Sequence, residues 1–467
     1  MPESWRIIFL LAGLFCFAEQ SFGQYVTVQK ITITGLKRTK ASIVHRELTF
    51  VEGDTLTQNE LGPILERNRD NLLNLGIFNK VVVNVSEWDT KNFLIEITIE
   101  LKESWYIYPA PILDLADRNF NVWWTTYNHS FDRINLGGRI DWLNFTGRND
   151  KLKAVIQFGY TPKQQLEYRF PYLNKRQSLG VTTVFLHSVN KEVNYGTFNN
   201  LEQLVRFGEQ KILERWEGQI RTFYRPTIFN RYELALRYQN VKVDQKVVTD
   251  YNPLYFSNGD STHSVFSLRF VYEYDDRDHK IFPAKGIKFS AEAEKIGLTK
   301  TADENTMIAS LTIEWNGTTG RRFQHRVSSI SKYSLSRSQP SFIYYKGLGS
   351  GVRYVSGYEL YVVDGLDYML GKYQLAYKIL DKQTNFAFMP VEQFRQVAYA
   401  FYISLLAEVG YVNDPYSGGV NPLANQWLYG GGPAFTVLLY NNFLFQFSYC
   451  TNHLGEWGLF IHNRTSF

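Results

Sequence analysis

The sequence predicts an all-β transmembrane barrel of about sixteen antiparallel strands, preceded by a small α+β domain. Three observations favour this fold class. From residue 134 onward, segments of about ten residues alternate apolar and polar side chains, as the strands of a membrane barrel do. Aromatic residues make up 16% of the 467 residues, and barrels concentrate such residues at both membrane interfaces. The mean hydropathy is -0.27, and no run of about twenty apolar residues follows the N-terminal stretch, which excludes helical membrane spans.

Residues 1–23 are predicted to be a signal peptide. A short polar start leads into the apolar stretch Ile7–Ala18 and then into small residues suited to cleavage. Cys16 leaves lipidation open as an alternative, although Phe15 stands where a lipid-attachment signal favours a small residue. The mature chain then keeps only Cys450, so no internal disulfide is expected.

Residues 24–103 change period in a way that the rest of the chain does not. Gln29–Gly35 is predicted as a strand, and apolar residues at helical spacing follow it up to Gly76. Two further strands are predicted at Lys80–Val85 and Phe93–Leu101. The order β-α-α-β-β indicates a small sheet with one face buried under helices.

Residues 104–133 are predicted to be a linker or the entrance to the barrel, which then spans residues 134–467. About sixteen strand-like segments can be counted from Ile134–Phe145 to Trp457–Phe467. A large soluble β-sandwich remains an alternative on composition. The repetition of long segments without a helix favours the membrane barrel, because closure leaves no unpaired edge in lipid.

No cofactor, metal or active site is expected. The eight His residues are scattered without the spacing of metal ligands. The glycine-rich stretch Gly347–Gly351 lacks the Lys of a phosphate loop and is interpreted as a flexible loop. The formal charge of +5 is small for this length, so nucleic acid is not an expected partner. An enzyme is therefore the least favoured class of function.

Three motifs suggest a family. One lies in a long loop and comprises Arg353, Val355, Ser356, Gly357 and Tyr358. A second links two predicted strands and comprises Asp276, Arg277, Phe282, Pro283 and Gly286. The third is the aromatic C-terminus, Phe467. Together they resemble the BamA/TamA superfamily of outer-membrane assembly proteins, and the N-terminal element order resembles a single POTRA domain.

This resemblance implies a sixteen-stranded barrel whose loop folds back into the lumen, and a last strand that ends in an aromatic residue. In the family loop an Arg precedes the Gly and pairs with acidic residues inside the barrel. This chain has Ser356 at that position, and Ser cannot replace a bidentate guanidinium contact. Arg353 is a candidate to reach the same carboxylates.

The resemblance implies a function in the outer membrane of a Gram-negative bacterium, with the POTRA domain in the periplasm. The first hypothesis is assembly, insertion or translocation of proteins through a lateral seam between the first and last strands, together with strand capture by the POTRA domain. The predicted seam residues are Gly137, Gly138, Gly458 and Phe467. The alternative is a non-insertase accessory subunit or a dedicated secretion pore. Expected partners are outer-membrane lipids, unfolded barrel clients or a secreted polypeptide, and accessory subunits.

Overall fold

The computed structural model describes most of the chain after the predicted signal peptide. The described residues are 25–174, 176, 178–256, 259–299, 302–351, 353–386, 395–440 and 443–465. The predicted signal peptide and Phe467 lie outside them.

The N-terminal domain is a four-stranded sheet covered on one face by two helices. Its elements are β1 (Tyr25–Thr34), α1 (Ala41–Glu47), β2 (Thr55–Thr57), α2 (Leu61–Leu73), β3 (Phe78–Asp89) and β4 (Leu94–Glu103). The strand order is β2-β1-β4-β3, with β1 and β4 parallel. Inward residues of β4, such as Ile95, Ile97 and Ile99, are fully buried against the helices. The predicted α+β domain is confirmed.

A single sheet of sixteen antiparallel strands forms the barrel. Its first part comprises β5 (Ile107–Leu115), β6 (Ile134–Leu143), β7 (Lys151–Gly159), β8 (Lys163–Phe170), β9 (Leu179–Asn190), β12 (Leu213–Tyr224), β13 (Asn230–Val243) and β14 (Thr262–Asp275). Its second part comprises β15 (Gly286–Ile296), β16 (Thr306–Thr319), β17 (Phe323–Ser334), β18 (Asp367–Asn385), β19 (Gln396–Asn413), β20 (Trp427–Leu439), β21 (Phe443–Asn452) and β22 (Trp457–Thr465). The hairpin of β10 (Glu192–Phe198) and β11 (Leu201–Arg206) forms a separate two-stranded sheet. The predicted fold class and strand number are confirmed.

The predicted start of the barrel is wrong. The segment 104–133, predicted as a linker or barrel entrance, contains β5, which is the first barrel strand and follows β4 after only three residues. It also contains the short helix α3 (Phe120–Thr125). The reason lies in Pro109 and Pro111, which argue against a central strand. Both prolines face outward on β5, a strand at the edge of the sheet, where a missing N–H is tolerated.

The two faces of the barrel wall differ as the period-two pattern predicts. On β13, Tyr232, Leu234, Leu236 and Tyr238 are exposed on the outside, whereas Glu233 between them is buried. On the lumen side of β13–β16, opposite charges pair within one strand, between neighbouring strands and between strands two apart. These pairs are Arg231–Glu233 (2.7 Å), Arg269–Glu233 (3.2 Å), Arg237–Glu294 (2.9 Å) and Arg277–Glu314 (3.1 Å). Within the described chain, no helix is both long and apolar enough to span a membrane.

The N-terminal domain docks on turns at one end of the barrel, which we call the near end. The amide of Lys40 donates to the carbonyl of Gly147 in the β6–β7 turn (3.0 Å). Arg225, after β12, pairs with buried Glu47 of α1 (2.9 Å). The Asn74 amide, after α2, donates to the carbonyl of Asp278 in the β14–β15 turn (3.1 Å). Three separate turns therefore fix the orientation of the domain.

Loops cover the opposite end, which we call the far end. The tip of the β10–β11 hairpin is Asn199-Asn200, where both residues adopt positive φ and Asn200 is fully buried. The backbone carbonyl of Asn200 accepts a hydrogen bond from Val362 N (2.8 Å), and its side-chain oxygen accepts one from Leu423 N in the loop before β20 (2.8 Å). The hairpin thus crosses the far mouth and is held by loops from the opposite wall.

Candidate functional site at the seam and the lumen loop

The seam lies where the ends of the barrel sheet meet. The sheet runs from β22 to β5, and among the described residues no backbone ladder joins these two strands. On its other side, β5 pairs with β6 from Ile107 to Leu115, and β22 pairs with β21 from Trp457 to Thr465. Each seam strand therefore has one satisfied edge and one edge without a ladder.

The predicted seam residues are only partly at the seam. Gly137 and Gly138 lie on β6, the second strand, so their assignment to the first strand is wrong. A Cβ on Gly137 would lie 2.2 Å from the carbonyl oxygen of Ile156 on β7, which explains this glycine by close strand packing. Gly458 lies on β22, where it leaves room for the buried ring of Phe460. Phe467 lies outside the described residues.

The predicted lumen loop lies in the segment 335–366 between β17 and β18 and is folded into the barrel. Val355, Ser356 and Tyr358 are at most 3% exposed. The backbone N–H of Ser356 donates to the Glu408 carboxylate (2.8 Å), whose cation partner is Lys372 at 3.2 Å. Lys372 and Glu408 are direct cross-strand neighbours on β18 and β19. In the described part of the chain, the cation that pairs with Glu408 is therefore Lys372 of the wall.

Arg353 does not take over that contact. Its guanidinium carbon lies 5.9 Å from the centre of the Tyr368 ring. The ring of Tyr354 beside it stacks on His462 of β22, with 4.6 Å between centroids. The expectation that Arg353 replaces the family guanidinium at the lumen carboxylates gains no support from these contacts.

The loop rests against the last hairpin of the barrel. The side-chain amide of Asn452 donates to the carbonyl of Gly357 (2.8 Å), and the Tyr361 hydroxyl donates to Glu456 (2.8 Å). On β22, the His462 ring nitrogen lies 3.4 Å from the buried carboxylate of Glu359. Burial raises the pKa of the Glu359 carboxyl, and the nearby His462 ring acts in the opposite direction. The loop is thus bound to the β22 side of the seam.

Gly357 is required for this close approach. Its φ is +89°, and an added Cβ would lie 2.7 Å from the Thr451 carbonyl carbon of β21. The wall contributes a second close contact, since a Cβ on Gly430 would lie 1.8 Å from the Ser356 carbonyl oxygen. Two glycines on facing backbones therefore allow the loop to pack directly on the wall.

We predict that Gly357→Ala lowers the free energy of unfolding more than Gly351→Ala. Both positions have positive φ, and that strain costs roughly 1–2 kcal/mol in each. Only Gly357 meets backbone atoms, while Gly351 has open space, so overpacking adds about 1–3 kcal/mol at Gly357 alone. Urea titration of both variants in detergent measures the difference. Equal midpoints would show that the loop is not held against β21.

The hairpin motif reaches into the lumen from the near end. Arg277 is nearly buried and pairs with Asp275 (2.8 Å) and Glu314 (3.1 Å). Gly286 has φ +105°, and an added Cβ would lie 2.7 Å from the Cα of Arg277, so a side chain would not fit there. Asp276 accepts a hydrogen bond from the N–H of Ile287 and thereby closes the turn.

The apolar part of this motif contacts the opposite wall. Phe282 is 5% exposed and packs on Tyr402 of β19, with ring centroids 4.5 Å apart. Arg326 of β17 covers the same ring at 4.6 Å, and Pro283 is also buried. The motif therefore narrows the lumen at the near end.

Two family models match this chain. The POTRA model, described as a surface antigen variable number repeat, matches residues 26–104, and the model of the Omp85 superfamily domain matches residues 144–359. The chain belongs to the Omp85 superfamily. Its members are non-enzymatic transporters and assembly factors, with barrels in the outer membrane. The match confirms the resemblance inferred from the motifs.

Solved structures share the Omp85 fold of this chain. BamA from Haemophilus ducreyi lacking POTRA domains 1-3 superposes with a TM-score of 0.55 at 13% identity, covering 94% of this chain and 85% of that one. CdiB from Acinetobacter baumannii gives 0.52 at 11% identity, covering 95% and 74%. At such low identity these similarities concern the fold alone. No curated protein sequence matches this one.

The motifs did not reveal the partners of the lumen loop. Glu408 carries a signal that could have been used, because it is the only charged residue in β19. Its partner Lys372 follows from the register of the strands, which the sequence does not specify. Arg118 and Asn119, whose contacts are described below, lie after β5 in a segment without a periodic pattern. Nothing in the sequence relates them to a loop more than two hundred residues away.

Proposed function

We propose that this Omp85 protein is an outer-membrane assembly and insertion factor that receives client strands at the seam between β5 and β22. The POTRA domain faces the periplasm at the near end of the barrel. Its mechanism is mechanical: a client strand pairs with an exposed strand edge through backbone hydrogen bonds. The observation that carries the proposal is the absence of a described ladder between β5 and β22.

The occupation of the lumen favours a lateral route over an axial one. At the far end, the buried tip Asn200 is bonded to the lumen loop and to the loop before β20. At the near end, Phe282 packs across to Tyr402, and the POTRA domain is docked on the turns. A polypeptide travelling along the axis would have to displace all three, whereas a strand at the seam meets an edge without a ladder.

The charge distribution also favours the seam as the mobile part. Paired charges connect β12–β17 on the inside, as between Arg237 and Glu294. On β20 and β21, inward positions such as Thr436 and Ser448 are small and uncharged. Fewer directional contacts hold these strands together across the lumen face, so this side of the wall deforms at lower cost.

Locking the seam tests the proposal. Cysteines replace Leu113 on β5 and Leu459 on β22, both outward and exposed, in a protein with Cys450→Ser. A reducible bifunctional thiol reagent then joins them in proteoliposomes. We expect the insertion rate of a urea-denatured eight-stranded outer-membrane barrel to fall at least tenfold and to recover on reduction.

A matched control joins Leu234 on β13 to Phe270 on β14, which are exposed cross-strand partners within an existing ladder. This cross-link should leave the rate unchanged. If the locked seam and this control insert the client equally fast, lateral opening is not the function. The accessory-subunit or secretion-pore alternative would then stand, the latter indicated by transport of a polypeptide through the locked protein.

A further inference from the structure

A short segment after the first barrel strand reaches across the seam. We call this segment, Asp117–Thr125, the strap; it begins just after β5 and includes α3. Because the strap is attached to β5, any contact that it makes with β22 connects the two sides of the seam.

The strap holds the lumen loop through Arg118. The guanidinium donates to three loop carbonyls, those of Gly349 (2.8 Å), Leu360 (3.0 Å) and Tyr361 (3.1 Å). Its remaining Nε pairs with Glu202 of the β10–β11 hairpin at 2.8 Å. A planar fork with five N–H donors can serve several carbonyls at once, which an ammonium group cannot match geometrically.

The residues after Arg118 extend these contacts to the last strand. The Asn119 amide donates to the carbonyl of Glu359 in the loop (2.5 Å). The Asn121 amide donates to the carbonyl of Leu459 on β22, and α3 packs against this strand. A side chain of the strap therefore occupies a backbone acceptor on the strand whose edge lacks a ladder.

The loop completes the connection from the other side. Gly357 and Tyr361 bond to Asn452 and Glu456 in the last hairpin, and Glu359 approaches His462 on β22. The loop thus contacts the strap after β5 and the hairpin that carries β22. The loop therefore connects β5 and β22, which share no described ladder.

We propose that Arg118 is a positioning residue that keeps the seam closed by binding the lumen loop. The inference rests on the proposed function and adds how the seam is regulated. A client strand can pair with the edge of β22 only after the strap and the loop have released that strand. Arg118 acts through the loop and contacts no client itself.

The test measures the seam directly and uses no client. Spin labels on Leu113 and Leu459, in the Cys450→Ser protein in lipid nanodiscs, report their separation by pulsed electron paramagnetic resonance. With Arg118 present, we expect one narrow distribution. In Arg118→Gln we expect the fraction of label pairs at a longer distance to be at least fivefold larger than in the protein with Arg118, because three carbonyl contacts and an ion pair are lost.

Two variants separate positioning from general weakening. Arg118→Lys keeps a cation for Glu202 but cannot reach three carbonyls, so it should give an intermediate long population in a folded barrel. Arg337→Gln removes an exposed guanidinium paired with Asp367 near the start of the same long loop, and should leave the distribution narrow.

The gel shift between unheated and heated samples confirms that each barrel is folded. If folded Arg118→Gln and Arg118→Lys both retain the narrow distribution, the proposal is overturned. This outcome is distinct from failure of the proposed function. If the seam opens in Arg118→Gln but the protein inserts no client, only the proposed insertase function is contradicted.

Discussion

Replacing Arg225 with alanine is expected to loosen the POTRA domain from the barrel by about 3 kcal/mol. Glu47 is 2% exposed, and Arg225 holds it at 2.9 Å across the interface between the two domains. Removing one partner of a buried ion pair leaves an uncompensated charge, which costs roughly 3–5 kcal/mol. The lower value applies because Arg225 is partly exposed and Arg46 lies 3.9 Å from the same carboxylate.

Hydrogen exchange measures this loss at one amide. The N–H of Lys40 donates to the carbonyl of Gly147, so its protection depends on docking. A change of about 3 kcal/mol corresponds to faster exchange on the order of a hundredfold. Arg69→Ala is the control, because its side chain is largely solvent-accessible and its ion pairs with Glu66 and Asp70 both lie within α2, where each is worth about 0–1 kcal/mol. Similar exchange in both variants would mean that the Arg225–Glu47 pair does not hold the domain.

Leu234→Arg is expected to destabilise the barrel by roughly 2–4 kcal/mol, because it places a charge at the middle of the lipid-facing surface. Leu234 lies on β13 with its side chain exposed on the outside, between tyrosines at both ends of the apolar stretch. In water the same substitution on an exposed strand would change stability little. The expected loss therefore depends on the outer face meeting acyl chains.

Tyr232→Arg on the same face provides the comparison. Tyr232 lies toward the near end of β13, at the level of an interface, where a charge costs about 0–1 kcal/mol. Reversible unfolding in liposomes with urea gives both values. A Leu234→Arg variant as stable as Tyr232→Arg would contradict a lipid-facing position for this surface.

The outcome at the seam shows how register limits a reading of the sequence. Alternation placed Leu234 and Glu233 on opposite faces of the wall without any structural information, because side chains on a strand alternate by geometry. The same reasoning failed at β5, where Pro109 and Pro111 break the apolar pattern. Because the pattern misses β5 as the first strand, the predicted seam falls at Gly137 and Gly138, which lie one strand further along.

The lumen loop shows a second limit. Its residues were recognisable as a motif, and the structure places Val355, Ser356 and Tyr358 inside the barrel. The substitution of Ser356 for a guanidinium was visible in the sequence, but the contacts that surround it were not. Arg118 is far from the loop in sequence, and only the closed wall brings the two together.

The sequence by itself determined which side of the alternating strands faces outward and that a small α+β domain precedes the barrel. It also determined that no helix of the described chain is long and apolar enough to cross a membrane. Periodicity and composition suffice for these conclusions because they are local properties. Tertiary structure decided where the wall begins, that its two end strands share no described ladder, and which cation serves each carboxylate. These features depend on the register of the strands and on the curvature of the sheet into a barrel, which bring residues hundreds of positions apart into contact. Such contacts leave no periodic pattern in the sequence of the segments that make them.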